Sequence, residues 1–412
     1  MRKIVAVFVM FLVVGSVALL SSCAPKQKTP SVIKFGAAVS LTGKYAREGK
    51  FYKDGYLLWE KKVNDSGGIK VNGKSYKVKV IIYDDESNPA KSQKLYEKLV
   101  TEDKVNFLLG PYSSGITIPD SSIAEKYKIP MIEGGGASGK IFSRGYKYIF
   151  GTLPAAGNYF KNTIEMLHMM TYSSNNSNKV TKVAIVHSDS AFDNAVANGA
   201  AHWVKAFGLR LTGVQEYPSG SNDLSSILTT IKKNNPDVIL VAGHTHDALL
   251  FIRQAKENKV NAKLMAFTVG VQAVDFREAL GKDADYMVGV TPWLPSMNFK
   301  GEVFGTAAEF AKTFKDAYGY SPDYHAASAV ADALTFQHAI AKAGSLDPKK
   351  VRDAIASLDV QTMYGEIKFQ ANGQIAKGQA VIQVQNGKAY PVFPKQIAQK
   401  KLLYPAPSWD KR

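Results

Sequence analysis

The stretch Val105-Asn106-Phe107-Leu108-Leu109-Gly110-Pro111-Tyr112-Ser113-Ser114 decides the architecture. A short apolar run too brief for a helix is stopped by Gly-Pro and followed by small hydroxyl residues, the pattern of a buried strand that ends in a loop. The same pattern recurs on both sides of it. Ile33–Val39 runs into Ser40-Leu41-Thr42-Gly43, Val78–Tyr83 into Asp84-Asp85-Glu86-Ser87, and Ile129–Glu133 into Gly134-Gly135-Gly136-Ala137-Ser138. Between these runs lie helical patterns: Lys50–Asn64 repeats Tyr52, Tyr56, Leu57 and Val63 at helical spacing, and Pro89 opens a helix with Leu95, Tyr96, Leu99 and Val100 on one side. Strands alternating with helices predict an α/β fold whose parallel sheet is covered on both faces and whose ligands sit beyond the carboxyl ends of the strands.

A second cycle follows the polar break 172–178. Strands are expected at Val180–Val186, Leu211–Val214, Val238–Val241, Lys263–Phe267 and Tyr286–Val290, with helices at Asp193–Phe207, Leu224–Asn234 and Asp247–Asn258. Longer helices are expected at Glu302–Tyr318, Tyr324–Gly344 and Asp347–Leu358. Near the end, Asn386-Gly387 between two β-rich runs signals a tight hairpin. A chain of 412 residues organised this way has two lobes.

The N-terminus carries a different message. Arg2 and Lys3 precede an apolar run, Ile4–Leu20, and Leu20-Ser21-Ser22-Cys23 follows. This is the layout of an export signal, shorter than a comfortable membrane span. The order Leu, small, small, Cys resembles the lipobox of bacterial lipoproteins, in which the cysteine is acylated and becomes the first residue. Cys23 is the chain's single cysteine, so the fold has no internal disulfide. Residues 24–30, Ala-Pro-Lys-Gln-Lys-Thr-Pro, read as a flexible tether. The expected location is extracytoplasmic, anchored to the cell membrane by lipid. The formal net charge of +17 comes mostly from scattered lysines, and with an export signal and no arginine-rich block it does not indicate nucleic-acid binding.

Several segments in order resemble the periplasmic leucine/isoleucine/valine-binding protein family, the type I solute-binding subunits of ABC importers. They are Ser40-Leu41-Thr42-Gly43 with Tyr45, Asn64-Asp65-Ser66-Gly67-Gly68-Ile69, Tyr83-Asp84-Asp85, Gly110-Pro111-Tyr112-Ser113-Ser114, Gly136-Ala137-Ser138 and Arg144-Gly145-Tyr146. The resemblance implies two Rossmann-like lobes with parallel sheets joined by three hinge crossovers, near Leu153, Trp293–Pro295 and Met363–Gly365. The corresponding division is 1–22 signal peptide, 23–31 tether, 32–152 and 296–362 lobe one, 153–295 and 363–400 lobe two, and 401–412 a C-terminal tail. It also implies a monomer that binds a small carboxylate or amino acid, partners an ABC permease and its ATPase, and uses no cofactor.

The resemblance carries particular residues into the site. Ser114, Gly136, Ala137 and Ser138 stand where the family holds a ligand carboxylate with hydroxyl and backbone N–H donors, with Tyr45 beside them; the alternative for both serines is helix capping. In lobe two, Phe192 stands where an aromatic packs on the ligand, His244 and Asp247 follow the strand Val238–Val241, and Thr268 follows Lys263–Phe267; Tyr324, from 296–362, matches an aromatic that lines the cleft. Several branched-chain amino acid binders place an acid near Thr268 to pair with the ligand ammonium. Here Phe267-Thr268-Val269-Gly270 has none, so either Asp247 or another acid substitutes, or the ligand carries no ammonium, as for an aromatic acid.

Enzymatic classes find no support in the residues. Gly134–Lys140 has the spacing G-x-x-x-x-G-K, but Ile141 stands where a P-loop needs Ser or Thr. His244 and His246 are half a metal site at best, with no third ligand beside them. The remaining alternative is a ligand sensor on the same scaffold that signals to a membrane partner.

Overall fold

The computed structural model describes residues 32–173 and 179–412. The Cys23 lipobox and its tether lie outside them, as does 174–178 of the predicted break. In chain order the elements are β1 (Val32–Val39), α1 (Ala46–Asp65), β2 (Ile69–Val71), β3 (Lys74–Asp84), α2 (Pro89–Thr101), β4 (Phe107–Leu109), α3 (Ser114–Tyr127), β5 (Met131–Glu133), α4 (Gly139–Phe142) and β6 (Ile149–Gly151). Then come α5 (Lys161–Ser173), β7 (Lys182–Ser188), α6 (Ala191–Ala206), β8 (Arg210–Tyr217), α7 (Ser225–Asn234), β9 (Val238–Ala242), α8 (Thr245–Glu257), β10 (Leu264–Phe267), α9 (Val274–Leu280) and β11 (Val288–Thr291). The last group is β12 (Lys300–Gly301), β13 (Gly305–Thr306), α10 (Ala307–Tyr318), α11 (Tyr324–Ala343), α12 (Pro348–Ala356), β14 (Asp359–Thr362), β15 (Gly365–Lys368), β16 (Ala380–Gln385) and β17 (Lys388–Phe393).

Two sheets organise these elements. The first has the order β2-β3-β1-β4-β5-β6 and the second β17-β16-β11-β10-β9-β7-β8. Every residue of β4, β9 and β10 is buried, as expected of parallel strands covered on both faces. The antiparallel exceptions are β2 against β3 and the β16–β17 hairpin, which pairs with β11. Asn386 and Gly387, with φ of 52° and 71°, make the predicted tight turn.

After β11 the chain returns to the first lobe. There α11 buries fifteen of its twenty residues, and its alanines let α1 approach closely at Gly55. The expected start of α10 at Glu302 is corrected to Ala307. Residues 300–306 fold instead as the small β12–β13 pair, and Thr306 with Glu309 forms a capping box that sets the helix start.

The chain passes between the two sheets three times, and the passages are tied to one another. The Trp293 indole donates to the Met363 carbonyl at 2.9 Å, while Gly151 N–H donates to Gly373 O and its own carbonyl accepts from Ile375 N–H, both at 2.9 Å. The end of the chain is also fastened: the Trp409 indole donates to Val260 O at 2.7 Å, and Leu403 N–H to Gln383 Oε1 at 2.8 Å.

Candidate functional site

In the first sheet β1 is flanked by β3 and β4, so the connections leave it in opposite directions; β7 stands in the same way between β8 and β9. A crevice opens at such a reversal, beyond the carboxyl ends of the strands. The loops that rim the two crevices carry Tyr45 and Ser114 in lobe one, and Phe192 and His244 in lobe two.

On the lobe-one side the backbone is strained into place. Ser113 holds φ 80° and ψ 144°, a region that favours glycine, at a cost of about 1–3 kcal/mol. It precedes α3 without capping it by its side chain. The first N–H groups of α3 have no intrahelical acceptor and carry the positive end of the helix dipole. Ser114 Oγ accepts from Ala137 N–H at 3.0 Å and Ser138 N–H at 3.1 Å, which leaves its own proton for a further acceptor. The helix-cap alternative therefore does not describe Ser114; its oxygen holds the neighbouring loop. Ser138 does cap α4, through a long bond to Lys140 N–H at 3.4 Å.

Beneath this loop Glu133 is fully buried, and its Oε2 accepts from Gly135 N–H at 2.9 Å and Gly136 N–H at 2.5 Å. Burial holds the Glu133 carboxyl well above the usual range, even against these bonds. The G-x-x-x-x-G-K stretch thus wraps around an internal carboxyl, with the N–H groups of Gly135 and Gly136 already occupied.

Side-chain contacts join the lobes. The Tyr112 hydroxyl and His244 Nδ1 share a hydrogen bond of 2.7 Å, Thr245 Oγ1 donates to Glu48 Oε1 at 2.7 Å, and Arg47 makes a bidentate pair with Asp275 at 2.6 and 2.8 Å. Arg47 also donates to the buried Asp323 at 2.9 Å. Burial would raise the Asp323 carboxyl, but His325 and Arg47 more than offset it and hold it well below the ordinary carboxylate range.

Two of the spaces between the lobes share Lys44, Tyr45, Ser219 and His244 in their walls. One of about 220 Å³ is lined by Tyr45, Ser113, Ser114, Gly115, Phe192 and His244 among others; one of about 340 Å³ is lined by Lys44, Tyr45, Ser188, His244, His246 and Asp247 among others. The first includes the opening turn of α3.

Of the predicted site residues, the structure brings Tyr45, Ser114, Phe192, His244 and Asp247 to these walls. It does not bring Gly136, Ala137, Ser138, Thr268 or Tyr324 there. Ala137 and Ser138 stand one hydrogen bond behind Ser114, and Gly136 is held by Glu133. Thr268 Oγ1 donates to Gly243 O at 2.7 Å and accepts from Gly243 N–H at 3.0 Å, so it supports the His244 loop. Tyr324 is buried and stacks on His325, ring centres 4.0 Å apart. Asp247 Oδ2 accepts from His244 N–H at 2.9 Å and fixes the start of α8. Among the described residues no group of three His, Cys, Asp or Glu side chains could hold a metal ion, and no helix is long and apolar enough to cross a membrane.

A sequence model described as periplasmic binding protein matches residues 32–389. The chain belongs to the periplasmic binding protein family. A relative from Brucella abortus (strain 2308), Leu/Ile/Val-binding protein homolog 8, is 27% identical over 397 residues, covering 90% of this chain and 93% of that protein. Two solved structures share the fold at 20% identity and a TM-score of 0.76. The branched-chain amino acid transporter substrate-binding protein LivJ of Streptococcus pneumoniae, in complex with isoleucine, is covered completely by 91% of this chain. An ABC transporter solute-binding protein of Rhodopseudomonas palustris BisB5, in complex with 3,4-dihydroxybenzoic acid, is covered completely by 93%. The two-lobe α/β fold expected from the sequence is therefore the fold of this periplasmic binding protein.

Sequence reasoning gave no role to the binding protein's Tyr112, Glu48, Thr245 or Arg47, because each matters through a partner on the opposite lobe.

Proposed function

We propose that this chain is the solute-binding subunit of an ABC importer, closing its lobes over a small carboxylate and handing it to the permease. A branched-chain or other hydrophobic amino acid is the first ligand class. The opening of α3 into the cavity carries this reading: N–H groups without partners, the helix dipole and the Ser114 hydroxyl form an anion site with no need of a buried counter-charge. Lys44 at the mouth adds a positive field that favours capture of anions. Acylation of Cys23 would hold the chain to the outer face of the membrane as a monomer.

A second ligand class, aromatic acids, is favoured by the rings of Tyr45, Tyr112 and Phe192, all within 5.6 Å of the His244 ring. Mass spectrometry of ligand released from natively purified protein, with calorimetric titration of L-leucine and benzoate, tests the proposal. Absence of binding to any small carboxylate would reject it.

A further inference from the structure

A group of lysines that lie apart in the sequence is gathered by the fold at one end of the first lobe. Residues 66–83 contain four lysines and no acid, and they form the β2–β3 hairpin, on which Lys70, Lys74, Lys77 and Lys79 are all exposed. Val32, where β1 begins, pairs with Lys77, so the hairpin projects about 10 Å past the start of β1. The last turn of α1, which carries Lys62, leads into this hairpin. Gly344 at the end of α11 lies against Asn72 of the hairpin tip, which brings the exposed Lys350 to the same end. Of the acids here, Asp65, Glu60 and Asp353 pair with Lys61, Lys79 and Lys349 at 2.6, 3.2 and 3.2 Å. Glu102 stands two residues from Lys104, Asp103 accepts from the Tyr83 hydroxyl at 3.1 Å, and Asp347 caps α12. Lys34, Lys62, Lys70, Lys74, Lys77 and Lys350 make no ion pair among the described residues, so positive charge is in excess at this end. Lysine on an edge strand also blunts strand pairing, but of these six only Lys70 sits on the edge strand β2.

We infer that this end of lobe one rests on the anionic phospholipid headgroups of the membrane to which the chain is tied. The inference relies on the reading of Cys23 as an acylated anchor. The nine residues 23–31 reach at most about 30 Å, and they enter the fold at Val32, among these lysines. The anchor thereby keeps the basic end close to a surface whose field extends about 8 Å at physiological salt. Each lysine that comes near an anionic surface improves partitioning by about fivefold. A rival group, Lys395, Lys400 and Lys401, follows β17 and belongs to the other lobe. The strands β1, β3, β4 and β5 are parallel and have their amino ends at the basic end. Their carboxyl ends, which rim the cleft, then point away from the bilayer, and the cleft stays open to solutes while the chain is at rest.

The test mixes the processed protein, purified from bacteria, with vesicles of phosphatidylcholine that contain or lack phosphatidylglycerol. A water-soluble amine reagent, read by mass spectrometry, gives the labelling rate of each lysine. Phosphatidylglycerol should slow labelling of Lys70, Lys74 and Lys77 by about fivefold or more, the partition factor of a single lysine. The protection should vanish near 1 M salt, where the screening length falls to about 3 Å. The combined variant Lys62→Glu, Lys70→Glu, Lys74→Glu should lose protection at Lys34 and Lys77. Should that variant fail to fold, the salt series on the wild type still decides. Equal labelling with both vesicles, or protection of Lys395, Lys400 and Lys401 instead, overturns the inference and spares the lipid anchor. Protein that does not float with phosphatidylcholine vesicles lacks the anchor. Flotation with phosphatidylglycerol alone, lost in the combined variant, then supports the basic face by itself, and flotation with neither vesicle overturns both.

Discussion

Replacing Ser114 by alanine removes one oxygen that holds two buried N–H groups, those of Ala137 and Ser138. Each orphaned donor costs about 1–3 kcal/mol, and the adjoining cavity of about 220 Å³ can admit water to recover part of that. A loss of about 2–4 kcal/mol in the ligand-free protein is therefore expected. The same hydroxyl proton is the donor offered to a ligand carboxylate, so affinity should fall by a further 1.5–3 kcal/mol or so. Stability and affinity drop together, whereas a simple helix cap would cost about 1 kcal/mol of stability and no affinity. Urea unfolding followed by the fluorescence of buried Trp59 and Trp293 measures the first term, and calorimetric titration with L-leucine and benzoate the second. Ser114→Thr restores the oxygen and should recover much of the stability. An alanine variant as stable as wild type to within about 0.5 kcal/mol would refute the hydrogen-bond reasoning.

Arg47→Met should cost about 3–5 kcal/mol by stripping buried Asp323 of a counter-charge, while Asp275→Asn, which breaks only the exposed half of the bridge, should cost no more than about 1 kcal/mol; thermal unfolding of the two separates them. Because Asp323 titrates below its unfolded value near 3.9, its contribution is present above about pH 4 and is lost as pH falls through the depressed folded value; Arg47→Met should shift this acid loss to higher pH in a pH-stability series. Gly49→Ala would place its Cβ 1.7 Å from the Ser40 carbonyl oxygen, so the start of α1 that carries Tyr45 and Glu48 must move, and both soluble yield and ligand affinity should collapse. Labelled fatty acid should enter wild-type protein in bacteria and not Cys23→Ala; equal labelling would remove the lipid anchor.

Local chemistry made much of this legible. Asn386-Gly387 specifies its own turn, and Pro89 after Asn88 opens α2, because a few adjacent residues determine each outcome. The start of α10 was misplaced although Thr306 and Glu309 have capping-box spacing, because Phe304 continued the helical pattern upstream and its burial depends on tertiary packing. Ser114 was assigned to the site through resemblance, yet its double role as acceptor for the next loop required a fold that places residue 137 beside it. Tyr112 with His244 and Thr245 with Glu48 are separated by 132 and 197 positions, and nothing local announces such pairs.

The β11–β16 pairing sets the order in which the molecule can be made. Val288 pairs with Gln383, and the strand that supplies it begins at Ala380, about ninety residues later in synthesis. At ribosomal rates near 5–20 residues per second, β11 waits roughly 5 to 20 s with its hydrogen-bonding edge unsatisfied. In the interval α10, α11 and α12 emerge and belong to the other lobe, so the second sheet is closed last. An exposed edge of this kind is a template for aggregation. A chain bound for export gains from the same delay, because a lobe that cannot close early is one that holding factors can keep threadable.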